Sequence, residues 1–292
     1  MKVVISIPAY NEERTIGKVI DEINRVMKNS KYRYSILVLN DGSRDMTATI
    51  AKKHGAKVVS NKRNMGLAET FNREMEECLK LNPDVIVHTD ADGQYPATYI
   101  PGMIEMIEHG NDLVLGSRFR KGIYNGSFTK KLGNIAFAFV LSQLLNKKLS
   151  DTTTGFRAFT PEIAKLPLIN DFTYTQEQLI RASRLKMRIA ELPINARTTR
   201  ESRLFKSTGS YAVKAWVNIL RIYRDYAPLK FFGAFGIFLF IVGLLLGLLV
   251  IYNILTTGSA GGIPRVILSA LSLITVIQIW FFGLLADMIK KK

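Results

Sequence analysis

Between Val3 and Leu115 short apolar runs alternate with longer stretches whose apolar residues recur at a helical spacing, which predicts strands alternating with helices. Val3–Ile7 is a buried-strand run closed by Pro8-Ala9-Tyr10-Asn11-Glu12-Glu13, and Ile16, Val19, Ile20, Ile23 and Val26 form the stripe of a following helix. Ser35–Leu39 is a second strand ending at Asn40-Asp41-Gly42-Ser43, with Asp45 placed to cap a helix running to Lys53. Ala56–Val59 is a third, and Asn64-Met65-Gly66 turns from it into a helix over Leu67–Lys80. Val85–Thr89 and Asp112–Leu115 are the fourth and fifth, closed by Asp90-Ala91-Asp92-Gly93-Gln94 and Gly116-Ser117-Arg118. This alternation implies an α/β domain with a mostly parallel sheet and helices on both faces, a class that binds ligands at the carboxyl ends of its strands.

The pattern changes twice more. Leu132, Ile135, Ala136, Phe139, Val140 and Leu144 follow Lys130 and Lys131, and Tyr211–Tyr226 interleaves apolar residues with Lys214, Arg221 and Arg224. Both read as basic amphipathic helices (about 128–146 and 209–230), suited to a membrane interface; a core helix would show the same stripe. Residues 231–255 carry no charge, and 263–289 carry only Arg265 and Asp287 near their ends. Each stretch exceeds the roughly 20 residues that cross a hydrocarbon core, and the short Gly/Ser/Thr-rich turn between them makes a transmembrane hairpin of 231–292. Basic residues on both outer flanks (Arg221, Arg224 and Lys230; Lys290, Lys291 and Lys292) place both termini on the cytoplasmic side, as a multi-pass protein of the cell membrane.

Charge sharpens this division. Residues 1–116 carry a net −1, residues 117–230 a net +14 and residues 231–292 a net +3. A basic middle that interleaves with apolar helices and precedes a hairpin fits attraction to anionic lipid rather than to nucleic acid. One cysteine, Cys78 on a helical stripe, excludes an internal disulfide and any Cys-rich zinc site. His54, His88 and His109 lack ligand spacing, and Met1–Ile7 is too short for a signal peptide.

Chemistry collects at the strand ends. The first strand opens into Pro-Ala-Tyr-Asn-Glu-Glu rather than Gly-x-Gly-x-x-Gly, so a bound diphosphate would be met by a metal and by arginines. Asp90, Asp92 and Gln94 place three oxygen side chains at i, i+2 and i+4 after a buried strand, hard donors that suit Mg²⁺ or Mn²⁺ bridging a nucleotide sugar's diphosphate. A solvated acidic turn would have the same spelling.

In order, Ser-Ile-Pro-Ala-Tyr-Asn-Glu-Glu (6–13), Asn-Asp-Gly-Ser (40–43), Asn-Met-Gly (64–66), Asp-Ala-Asp-Gly-Gln (90–94), Gly-Ser-Arg (116–118) and Thr-Gly-Phe-Arg-Ala-Phe (154–159) resemble glycosyltransferase family 2, and within it the dolichol-phosphate mannose synthases and related polyprenyl-phosphate glycosyltransferases. The resemblance implies a Rossmann-like, nucleotide-sugar-binding GT-A domain over residues 1–208. It implies nucleotide binding by Pro8, Ala9, Tyr10, Glu12, Asp41, Asp90 and Ala91, with Tyr10 stacked on the base and Asp41 accepting from a base N–H. It implies metal ligation by Asp90, Asp92 and Gln94, and a phosphate contact by Arg118. Arg203, in Arg200-Glu201-Ser202-Arg203, is placed on the diphosphate or lipid phosphate, although the family's usual glycine is missing there. Glu177 is placed to orient the sugar, Lys130 and Lys131 to draw in the lipid headgroup, and Asp92, Arg118, Arg203 and Glu177 form the catalytic set. Asp151 and Arg157 are expected to pair structurally.

The activity implied is inverting transfer of one hexose, mannose from GDP-mannose, to a polyprenyl phosphate, with UDP-glucose as the alternative donor. A lipid phosphate is already an anionic nucleophile and needs positioning and charge neutralisation, not a strong base. A polysaccharide synthase would show Gln-x-x-Arg-Trp, which precedes neither Trp216 nor Trp280, and a non-catalytic subunit would have lost Asp90 and Asp92. The sequence leaves a homo-oligomer open.

Overall fold

The computed structural model describes residues 1–119, 135, 138–143, 145–168, 174–198, 217, 220–221, 224–260 and 262–290. The chain divides into two compact units, Met1–Ala212 and Val213–Lys292. In the first, seven strands form one sheet: β1 (Lys2–Ala9), β2 (Arg33–Asn40), β3 (Lys57–Ser60), β4 (Val85–His88), β5 (Leu113–Ser117), β6 (Arg157–Phe159) and β7 (Ile189–Pro193). Their order is β3-β2-β1-β4-β6-β5-β7. The pairings β1–β2, β2–β3, β1–β4 and β5–β7 are parallel. Strand β6 is antiparallel to β4 and β5 and separates them, with Ile86 and Leu113 both opposite Phe159. Its reversed direction brings Gly155–Arg157 to the edge where β4 and β5 end.

Side chains alternate between two cores, as a strand's period of two requires. Ile5, Ile7, Val38, Val87 and Val114 are buried in one cluster with Ile16, Ile20 and Ile23 of α1 (Ile16–Lys28) and Met103 and Ile104 of α4 (Ile100–Glu108). Val4, Leu37, Ile86 and Leu115 are buried in the other with Phe71, Met75 and Cys78 of α3 (Leu67–Leu79) and Leu179 and Ala182 of α6 (Tyr174–Arg184). Truncating a fully buried residue such as Ile5 to Ala removes about 2–5 kcal/mol. Helix α2 spans Thr47–Lys53 and a single turn, α5, spans Pro161–Ala164. Met46, not Asp45, occupies the N-cap position of α2; Asp45 acts one residue earlier, accepting from the Thr47 N–H at 3.0 Å.

The five expected strands and the helices between them form with their ends displaced by a residue or two. Helix α4, strand β7 and the reversal of β6 lie beyond the sequence expectation.

The second unit contains α7 (Pro228–Thr257) and α8 (Ile263–Lys290). Helix α7 is apolar on all sides and ends at Gly258, whose φ of +69° closes it in the left-handed conformation. Mean hydropathies of 3.0 and 2.1 over their most apolar 18 residues mark both helices as candidate membrane spans by length and composition. The pair packs on small residues: Ser269 Oγ donates to the Gly243 carbonyl at 2.9 Å, and a Cβ on Gly236 would strike the Trp280 indole. The helices expected over 128–146 and 209–230 lie largely outside the described residues; within them residues 138–143 and 224–226 are helical.

Candidate active site

The ends of β1 and β2 are laced together. Asn11, at φ +54°, donates its N–H to Ser43 Oγ at 3.0 Å and accepts from the Arg44 N–H at 2.9 Å. The Glu12 N–H reaches Thr47 Oγ1 at 2.8 Å, the Glu13 N–H reaches Asp45 at 3.2 Å, and Glu13 accepts from the Met46 N–H at 3.1 Å. The small polar residues of Tyr-Asn-Glu-Glu and Asp-Gly-Ser thus satisfy backbone groups that the strands release at their ends. Tyr10 stands exposed beside this lattice, Pro8 is half-buried and Ala9 is buried.

Asp41 is buried and fully engaged. Its carboxylate accepts from Asn61 Nδ2 at 2.7 Å, the Met65 N–H at 2.8 Å and the Gly66 N–H at 3.2 Å. Arg73 in turn donates from Nη1 to the Asn61 side-chain Oδ1. Gly42, at φ +68°, lets the chain pass the backbone of Arg63 and Asn64, where a Cβ would collide. Asp41 therefore pins the Asn64-Met65-Gly66 turn.

Asp90 is built oppositely. It is half-buried beyond the end of β4, with Asp92 and Gln94 half-buried beside it and Ala91 buried. None of the hydrogen bonds among the described residues reaches its carboxylate. Burial, with the Asp92 and Glu74 carboxylates adding, pushes it up to about 6 against the opposing pull of His88 and Arg118. Gly155 faces it: a Cβ there would come within 3.1 Å of Asp90 Oδ1. Asp92 Oδ1 accepts from the Gln94 N–H at 2.9 Å. Among the described residues no three His, Cys, Asp or Glu side chains converge to hold a metal ion. The cradle beside Gly155, the adjacent carboxylates and the hard oxygen of Gln94 nonetheless fit a divalent cation completed by a ligand's own oxygens.

Arg118 lies at the end of β5 and takes the partner expected for Arg157. Its Nε and Nη2 clamp the buried Asp151 at 2.7 and 2.9 Å, and Nη2 also reaches Thr153 Oγ1 at 2.9 Å. Arg157 is fully buried and donates instead to the Thr154, Thr175 and Thr152 carbonyls and to Gln178, at 2.7–3.2 Å. The expected Asp151–Arg157 pair is thereby corrected: Arg157 sits among backbone carbonyls before β6, whereas the Arg118 main chain already holds Asp151 through its own N–H at 3.1 Å. Burial lowers the Arg157 guanidinium to about 10.

Glu177 is buried on α6, its Oε1 taken by Arg181 at 2.8 and 3.0 Å. Lys130, Lys131 and Arg203 lie outside the described residues. Sequence reasoning missed Asn61 and Thr153 and assigned no role to Gly155 within the Thr-Gly-Phe-Arg motif; all three act through contacts distant in sequence. It also missed a clamp behind Gln94: Arg197 donates its N–H to the Gln94 carbonyl at 2.8 Å and forks onto Glu22 of α1 at 2.7 and 2.9 Å.

Among known proteins the chain is similar to a dolichyl-phosphate hexose transferase of Haloferax volcanii, 37% identical over 194 residues that cover 63% of this chain and 78% of the relative. It is 30% identical over 214 residues to a dolichol-phosphate mannosyltransferase of Pyrococcus furiosus, covering 70% of this chain and 59% of that one. Glucosyl-3-phosphoglycerate synthase of Mycobacterium tuberculosis, solved with Mn²⁺ and UDP-glucose, superimposes with a TM-score of 0.60 at 23% identity, covering 76% of this chain and 78% of that one. That likeness establishes the GT-A fold. Residues 4–166, which carry every strand-end motif through the Thr-Gly-Phe-Arg turn, match the family described as Glycosyl transferase family 2, and the chain belongs to that family of transferases.

Proposed function

We propose that the chain is an inverting, divalent-metal-dependent hexosyltransferase that moves one mannose from GDP-mannose to a polyprenyl phosphate at the cytoplasmic face of a membrane. The observation that carries this reading is Asp90: a carboxylate raised by burial and by Asp92, reached by no hydrogen bond among the described residues, and opposite Gly155 beyond the end of β4. Two carboxylates close enough to repel call for a cation. The 30- and 28-residue apolar helices and the names of the archaeal relatives support a lipid acceptor.

Asp90, Asp92 and Gln94 would hold Mg²⁺ or Mn²⁺, which when bound supplies charge neutralisation for the departing diphosphate. The protein's own residues do the rest. Tyr10 offers an exposed ring for the base, with Pro8, Ala9 and Ala91 forming the wall and Glu12 at its rim. Asp41 fixes the turn that borders this pocket. Arg118, aimed by Asp151 and Thr153, brings positive charge toward Asp90 and the donor phosphates. Glu177 acts through Arg181, which it holds, in positioning the sugar. Arg203, Lys130 and Lys131 receive the acceptor phosphate, whose oxygen attacks the anomeric carbon as the diphosphate leaves on the opposite side. Residues 1–208 form the catalytic domain, 209–230 an interfacial helix and 231–292 the anchor.

Membranes containing the chain are supplied with radiolabelled GDP-mannose or UDP-glucose and either dolichyl or undecaprenyl phosphate. Label from GDP-mannose is expected in the chloroform phase, lost with chelator and restored by Mg²⁺ or Mn²⁺. Label from UDP-glucose alone reassigns the donor, and full transfer in excess chelator removes the metal. A cysteine at Ser259, in a Cys78→Ser background, is expected to react with an impermeant thiol reagent from outside intact cells; reaction of one at Lys292 reverses the orientation.

A further inference from the structure

Helix α8 presents two faces. Ser269, Ser272 and Val276 are buried, and a Cβ on Gly283 would strike Phe232, so this side packs on α7. Ser269 and Ser272 are satisfied there, donating to the Gly243 and Leu268 carbonyls at 2.9 and 2.7 Å. The opposite side carries Gln278, exposed, within two residues of the helix middle and so about 3 Å from its centre along the axis. None of the hydrogen bonds among the described residues involves its amide. Its neighbours Leu271, Ile274, Phe281, Leu285 and Met288 are all exposed, and with Gln278 they recur at alternating spacings of three and four.

If this hairpin spans a bilayer, as proposed above, Gln278 stands near the midplane. A glutamine side chain is too short to reach the headgroups, and hydrocarbon offers its two N–H donors and its carbonyl nothing. Residues at this spacing line one face of the helix, and in a seam between two helices one polar residue on such a face fixes the register. A carboxamide is also self-complementary. Two copies related by a twofold axis can exchange N–H···O bonds in both directions, whereas a lipid tail can make none. We infer that Gln278 is the centre of a homodimeric interface, in which the exposed face of α8 packs against the same face of a second copy of this chain. This inference rests on the hairpin reading alone and leaves the sugar chemistry untouched.

The test uses full-length chain carrying donor or acceptor fluorophores at its N-terminus, reconstituted into phospholipid vesicles over a range of protein-to-lipid ratios. Energy transfer above random proximity is expected for the wild type. Gln278→Leu is expected to raise the ratio for half-association about tenfold, and Gln278→Asn, which keeps the amide, to stay close to wild type. Wild-type association by Gln278→Leu, or transfer at the random level for the wild type, overturns the inference; the second result assigns the face to lipid. A carbonate wash of the same vesicles separates the two readings. Protein that is retained but monomeric removes only the dimer, whereas protein that is released removes the membrane hairpin as well.

Discussion

Two aspartates close β2 and β4, the strands on either side of β1, at the same end of the sheet, and they are opposites. Asp41, after β2, has three N–H groups on its carboxylate, at 2.7, 2.8 and 3.2 Å. Asp90, after β4, receives no hydrogen bond among the described residues and is pushed up to about 6 by burial and by its acidic neighbours. Both follow apolar strands, and both belong to motifs that resemble the same family. The difference lies in the donors each meets. The turn at Asn64–Gly66 folds back onto Asp41 and spends its charge on structure. The turn at Gly155 brings only a missing side chain to Asp90, and under the proposed function its charge is left for a cation. A half-buried carboxylate that no described donor reaches costs stability, and the proposed cation would restore the balance there.

The comparison breaks most sharply on activity. Asp92→Asn is expected to lower hexose transfer by about 10²–10³-fold while the protein stays folded, because it removes a ligand and relieves a like-charge contact with Asp90. Mn²⁺ should raise the unfolding temperature of the wild type, and neither Asp90→Asn nor Asp92→Asn should respond. Thermal shift and transfer assays read both effects. An Asp90→Asn protein that is less stable than wild type without metal would mean that this carboxylate, like Asp41, is structural.

Arg118 stands between the two extremes, since its charge acts on Asp90 yet it is clamped by Asp151. Arg118→Ala is expected to reduce transfer roughly ten- to a hundredfold. It should also destabilise the fold by about 3 kcal/mol, because Asp151 is left buried without its cation. The double change Arg118→Ala/Asp151→Asn separates the roles: denaturant unfolding should recover most of the stability while transfer stays low. Recovery of both would reduce Arg118 to a structural partner of Asp151.

Asp41→Asn probes the other side of the comparison. The amide keeps an acceptor but loses the charge that strengthens three hydrogen bonds and turns an N–H₂ toward donors, at an expected cost of about 1.5–3 kcal/mol. The unfolding midpoint should fall, and the Mn²⁺-induced stabilisation should persist. Loss of the metal response instead would join the two strand ends into one site.

The strand-to-helix alternation up to Leu115 was legible because β1, β2 and β4 are short apolar runs and α1 and α3 carry clean stripes. Asp90-x-Asp92-x-Gln94 was legible because its spacing is local. What escaped was long-range. Residues 157–159 give three positions, too few for a period, and nothing local tells β6 to run against β4. The Arg118–Asp151 clamp spans 33 positions and depends on that reversal. Asp41 spelled the same in sequence whether its partner was a nucleobase or the Met65 N–H, because only the fold decides which donors arrive. The hairpin was the most legible element of all, since length and uniform apolarity suffice for it, yet the orientation of Gln278 away from α7 needed the packed pair.

The smallest effect lies behind the Asp90–Gln94 turn. Glu22 accepts a two-pronged contact from Arg197 and also the Ala97 N–H at 3.1 Å, while Arg197 holds the Gln94 carbonyl through its own N–H. The hydrogen bonds from Arg197 hold the Glu22 carboxyl below the usual glutamate range, against the opposing effect of burial. Half of Arg197 is exposed, so solvent screens the pair. Glu22→Gln is therefore expected to cost only about 0.5–1 kcal/mol at neutral pH. The sign of its pH dependence follows from the lowered value. A carboxylate depressed in the folded protein contributes its full stabilisation above the unfolded value of about 4.3 and loses it as the pH falls through the folded value. Wild type and Glu22→Gln should thus differ fully above the unfolded value of about 4.3, and converge only as the pH falls through the lowered folded value, in urea unfolding. Because the pair lies behind Gln94, transfer should fall by less than about threefold, tens of times less than for Asp92→Asn. A loss of transfer as large as that of Asp92→Asn, in a protein of unchanged stability, would promote Glu22 from a support of the Gln94 backbone to a member of the site.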